Sequence, residues 1–299
     1  MKKLLAFLLV LCMVFALAGC GAEKEGQGEN TGAKAKKHEK AWLVSKVTVI
    51  EEDGVPTNYV SEENTYDNNG NLLEHVTYSA ENEMQDKTEY QYDKNGYLIE
   101  KTETRGDGSW FNYKYTNDKN GNATKESYCN DAGDSSTTEY TYDSKNRETS
   151  MAEYDSNGRK VRWSTTTYTA NGSHSSETAF WTLYFDDMPY AVDPITTKTT
   201  SETDYDSEGR MTRLATRSET EGKNNNSATE GVTTYEYNEH GDEIRCTNTM
   251  DGSTYWVIDY DYEYDENGNH VKETCHTVTY YTGETTEETT VKTFEYVYL

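Results

Sequence analysis

The chain has 299 residues, only 33% of them hydrophobic, and a formal net charge of −26. That composition excludes a large aliphatic core and argues against nucleic acid or an anionic surface as partner, because like charges repel. Disorder is argued against by the 26 tyrosines, which alternate with threonines as residues of half-buried strands do.

Residues 1–19 read as a signal peptide: Lys2 and Lys3, an apolar run from Leu4 to Leu17, then Leu17-Ala18-Gly19-Cys20. The tetrapeptide resembles the lipobox of bacterial lipoproteins. The resemblance implies that Cys20 becomes the first residue and carries a diacylglycerol, whose two acyl chains suffice for stable anchoring. The membrane is then a partner through Cys20, and the chain sits outside the cell. Residues 20–41 have no apolar period and read as a flexible tether.

Trp42-Leu43-Val44-Ser45-Lys46-Val47-Thr48-Val49-Ile50 is the first expected strand, and one β domain is expected over 42–299. A short phrase then recurs. Tyr92-Asp93-Lys94-Asn95-Gly96 is one full copy, and others lie at 66–70, 154–158, 205–209 and 264–268. Tyrosines two apart, such as Tyr90 and Tyr92, share one side of a strand. Asp then caps a tight turn, and Gly supplies the left-handed backbone that closes it. The turn residues Gly70, Gly96, Gly121, Asn146 and Gly172 are spaced 26, 25, 25 and 26 apart. Second turns fall between them, so roughly seventeen strands of about 7–9 residues are expected.

The copies resemble YD repeats, the tyrosine-aspartate hairpins of RHS-type cell-surface and toxin-shell proteins. The resemblance covers nearly all of 60–299 and implies a hairpin architecture and an extracellular setting. Asp193-Pro194-Ile195 lacks the glycine of that family's cleavage context, so toxin delivery is not expected.

The fold expected from these elements is all-β, an antiparallel up-and-down meander of repeated hairpins. Twist accumulates across so many strands. The first expectation is a long, curled sheet with its tyrosine-rich face inward; the alternative is a closed or nearly closed barrel.

Two irregularities break the period. Gly172 to Gly209 is 37 residues, and the excess includes an aromatic segment with Trp181, Tyr184, Phe185, Asp186, Asp187 and Tyr190. One reading is a protruding loop that stacks on a glycan or docks a surface protein, with the two aspartates as polar contacts. The other is a lid over the concave side of the sheet. Residues 219–230 read as a flexible loop.

No catalytic, cofactor or metal pattern is visible, and no enzyme activity is expected. Asp67-Asn68-Asn69-Gly70-Asn71 and Asp265-Glu266-Asn267-Gly268-Asn269 begin as calcium loops do, but the twelfth loop positions are Tyr78 and His276 rather than Glu. Plain hairpin turns are expected there. Cys129, Cys246 and Cys275 are expected as free thiols; one strand separates the last two, about 10 Å, too far for a disulfide. The expected function is ligand binding or adhesion at the surface, and the alternative is a spacer without a specific ligand.

Overall fold

A computed structural model of the protein describes residues 42–181, 195–222, 226–281 and 284–299. The expected signal peptide, Cys20, the tether and Thr282-Gly283 lie outside the described residues. So do Tyr184, Phe185, Asp186, Asp187 and Tyr190.

Eighteen strands follow one another without a helix among the described residues. They are β1 (Trp42–Glu52), β2 (Val55–Tyr66), β3 (Leu72–Tyr78), β4 (Met84–Tyr92), β5 (Leu98–Arg105) and β6 (Trp110–Asn117). Next come β7 (Ala123–Asn130), β8 (Ser135–Tyr142), β9 (Glu148–Asp155), β10 (Lys160–Tyr168), β11 (Gly172–Trp181) and β12 (Ile195–Tyr205). The last are β13 (Met211–Glu221), β14 (Ser227–Tyr237), β15 (Glu243–Met250), β16 (Ser253–Tyr264), β17 (His270–Tyr281) and β18 (Glu284–Tyr298).

Each strand pairs antiparallel with the next, as the repeat dictates. The curled open sheet is not what forms. β1 also pairs with β18, from Trp42↔Tyr298 to Glu52↔Thr290, and the meander closes into a barrel. Closure saturates the two edges that an open sheet would leave exposed. Lys46 Nζ meets Glu295 Oε1 at 2.7 Å across this seam, and the Asp53 N–H donates to the Thr289 carbonyl at 2.7 Å.

Strands pack appreciably only against their ladder neighbours. At about 4.8 Å per strand, a round 18-stranded wall would be on the order of 30 Å across between facing backbones, and inward side chains narrow the space within. The more buried face carries Val49, Tyr140, Met151, Cys246 and Tyr260. Tyr113 and Tyr115 share that face by register. Side chains converge on the concave side of a cylinder, so this tyrosine face is the inner one. Val76 and Val291 are buried on the opposite face.

All Tyr-Asp turns except the one at Asp155 connect an even strand to the next odd one. They therefore line one rim, here the near rim, where β1 begins and β18 ends. The connection between β11 and β12 leaves from the far rim.

Turn chemistry follows the expectation closely. Asn95 and Tyr97 N–H groups donate to Asp93 Oδ1 at 2.8 and 2.9 Å. Asn146 takes the left-handed conformation, φ 61°, where the other copies have glycine. Gly172 does not: it lies within β11, and a Cβ there would stand 2.2 Å from the Thr203 carbonyl oxygen. Its role is close approach rather than turn formation. Much of the supposed 219–230 loop is strand, because β13 and β14 run to Glu221 and from Ser227. The wall is taller here: β12, β13 and β14 have 11 residues each against 7 in β3.

Candidate functional site

The described residues that gather the most chemistry lie on the inner wall from β5 to β10. Their alignment follows from hairpin register. The turn at Gly121 sets Tyr115 opposite Glu126. The next turns set Glu126 opposite Thr138, Thr138 opposite Glu153, and Glu153 opposite Arg162. The result is one row of hydroxyl, carboxylate and guanidinium groups across five strands. Arg162 Nε stands 3.0 Å from Glu153 Oε2.

An aromatic strip lies beside that row. The Tyr113 and Tyr128 rings are 5.3 Å apart, and Phe111 stacks on Tyr128 at 6.3 Å. Lys101 Nζ sits 4.4 Å from the Tyr113 ring and the Arg105 guanidinium 4.6 Å from the Phe111 ring. Cations over ring faces are attracted by the ring quadrupole.

Burial controls the electrostatics of the row. It pushes the Glu126 carboxyl above the usual range; Lys101 opposes the shift and Glu153 adds to it. Glu148 on β9 is pushed up to about 7 by burial, opposed by Arg162 and reinforced by Glu177. Burial likewise raises the Tyr113, Tyr115 and Tyr140 hydroxyls, which therefore stay protonated. The wall thus offers protonated tyrosine hydroxyls and an Arg162–Glu153 ion pair beside ring faces.

A second aromatic group lies at the near rim between β14 and β18. Tyr264 Oη donates to Asp242 Oδ2 at 2.7 Å, and His270 Nε2 lies 3.2 Å from Asp242 Oδ1. The Tyr262 and His270 rings stack at 4.5 Å. These contacts bind neighbouring turns together.

Of the residues picked out from sequence, only Trp181 falls within the described structure. It ends β11 opposite Ile195 at the far rim. The inner-wall row was missed, although the turn glycines already fixed its pairings. No group of three or more His, Cys, Asp or Glu among the described residues could hold a metal ion. In the calcium-like turn at Asp265, Oδ1 accepts from the Asn267 and Asn269 N–H groups at 2.8 and 2.9 Å. Cys129, Cys246 and Cys275 are unbridged thiols.

No family model matches the chain, and no curated protein matches it. Among solved structures, a porin-like protein from Bacteroides uniformis ATCC 8492 is similar at 14% identity and TM-score 0.44, covering 85% of this chain and 96% of that one. A porin-like protein from Bacteroides vulgatus ATCC 8482 gives 13%, 0.42, 86% and 99%. The Photorhabdus luminescens Tc holotoxin pore gives 12% identity and TM-score 0.17, covering 75% of this chain and 18% of that one.

The wall itself bears on membrane insertion. A membrane-spanning barrel needs an apolar outward band about 25 Å tall. The outer face here carries ion pairs at mid-height, Lys87–Glu74 at 2.7 Å and Arg245–Asp259 at 3.5 Å among them. Lys114 and Glu100 face each other there too. At mid-height the outer face is therefore suited to water rather than to lipid chains.

Proposed function

We propose that this chain is a lipid-anchored surface protein whose hollow barrel binds a hydroxyl-rich ligand, a glycan first, on its inner wall. The observation that carries the reading is the row from Tyr115 to Arg162 beside the Phe111–Tyr128–Tyr113 strip. Ring faces next to protonated tyrosine hydroxyls and hydrogen-bonding carboxyl and guanidinium groups match the alternating apolar and polar surfaces of a sugar. A hydrated outer face favours anchoring by lipid at Cys20 over insertion of the wall. The protein is read as a binder and not an enzyme.

A glycan-array screen of residues 41–299 tests this, with a Tyr113→Ala Tyr128→Ala variant beside a Trp181→Ala Tyr184→Ala variant. Binding lost only in the first supports the wall, and binding lost only in the second returns the site to the far-rim segment. No binding by the unaltered protein would favour the spacer.

A further inference from the structure

The near rim carries an apolar arc that neither the repeat nor the inner wall requires. After each Tyr-Asp turn the odd strand contains a bulge, and the bulged side chain turns to the outer face. Thr149 shows the direction: its Oγ1 lies 2.9 Å from Oγ1 of Thr141, an outer-face residue. The same position is Leu73 on β3, Ile99 on β5 and Val271 on β17. All three are exposed. Leu43 on β1 and Val297 on β18 pair directly on the outer face at the same height. One residue further out, at the lip of the rim, register turns Trp42 and Tyr298 to the inner side, where they are 45% and 49% exposed with their rings 4.8 Å apart. On β7, β9 and β13 the bulge is threonine, and on β15 it is the half-buried Ile244, so the exposed apolar residues run along one arc from β17 through the seam to β5, with Ile244 extending it on one side.

Three large apolar residues are also exposed toward the far rim: Val55, Trp110 and Tyr280. They sit on β2, β6 and β17 and form no arc.

We infer that this arc rests on the headgroup region of a lipid bilayer, so that the barrel stands near rim down. The inference rests on the anchored reading above. The occupant is argued from where the rest of the chain lies. The segment that precedes the barrel enters at Trp42, in the middle of the arc. A 22-residue tether from Cys20 to residue 41 spans about 25 Å on average if flexible, which keeps this rim close to the membrane. The arc is one residue deep, with an exposed Trp and Tyr at the lip of the rim beneath it, as an interfacial contact has and a span does not.

Trp42 and Trp110 provide paired probes, one at each rim with similar exposure, 45% and 38%. The full chain lipidated at Cys20 is placed on phosphatidylcholine vesicles containing brominated lipid. Each tryptophan's quenching is obtained by difference from its Trp→Phe variant. Trp42 is expected to be quenched at least twofold more than Trp110, and a Leu73→Ser Ile99→Ser Val271→Ser variant is expected to remove that excess. Equal quenching on vesicle-bound protein, greater quenching of Trp110, or an excess untouched by the triple change overturns this inference alone. A chain that acquires no lipid and stays off the vesicles overturns both this inference and the anchored reading.

Discussion

The Tyr142 hydroxyl donates to the Ala123 carbonyl at 2.8 Å, which ties its Tyr-Asp turn to the strand that leaves the turn before it. The same bond recurs as Tyr92 to Leu72, Tyr168 to Glu148 and Tyr237 to Met211, at 2.9, 2.7 and 2.7 Å. Where Tyr is replaced by Asn117, the side-chain amide donates to Leu98 in its stead at 2.7 Å. The repeated tyrosine is a lateral strut around the near rim. Tyr142→Phe keeps the ring and removes the bond, so it should lower stability by about 1 kcal/mol, read from denaturant unfolding. Tyr142→Leu should cost more, because the ring is lost as well.

Gly121 and Gly108 separate backbone strain from packing. Both have positive φ, 89° and 88°. A Cβ on Gly108 meets nothing within 4 Å, while one on Gly121 would lie 2.6 Å from the Tyr97 ring. Gly108→Ala should cost about 1 kcal/mol from left-handed backbone alone. Gly121→Ala should cost clearly more, since Tyr97, buried at 9% exposure and bonded to the Lys119 carbonyl at 3.1 Å, must move. Thermal unfolding of the two variants measures the difference.

The turn carboxylates set the acid limit. The Tyr97 N–H holds Asp93 below the usual range, and Arg147 does the same for Asp143. A depressed folded pKa gives stability that is present above the unfolded value, about 3.9, and is lost as pH falls through the folded values. Asn238 occupies the same position in its own turn, accepting from the His240 and Asp242 N–H groups at 2.9 Å each. Asp93→Asn should therefore preserve the turn while flattening the loss of stability below about pH 4. An unfolding series in acid checks this; an unchanged slope would remove Asp93 from the account.

Glu148 acts in the opposite sense. Burial raises its carboxyl to about 7. Its contribution is complete below the unfolded value and is lost as pH rises through 7. Glu148→Gln should make stability less dependent on pH between about 5 and 8, and relatively greater at the upper end. Unfolding midpoints across that range give the result.

The seam between β1 and β18 is the most consequential contact in the barrel. Deleting residues 42–52 would expose β2 and β18 as long edge strands, which template pairing with other chains. The deleted protein should run as aggregates on size exclusion, while the intact domain should not.

Periodic Tyr-Asp-x-x-Gly spacing by itself determined the hairpins, their order and most turn positions, because each turn is closed by groups two to four residues from its Asp. It also determined the inner-wall pairs, since a hairpin's register follows from its turn. What only the tertiary structure decided is closure, which joins Trp42 to Tyr298 at opposite ends of the chain. That contact depends on twist summed over eighteen strands and on two edges finding each other, and no local pattern encodes either. Closure in turn made one face concave, so that Tyr115, Glu126 and Arg162 became an inner wall rather than a stripe on a ribbon.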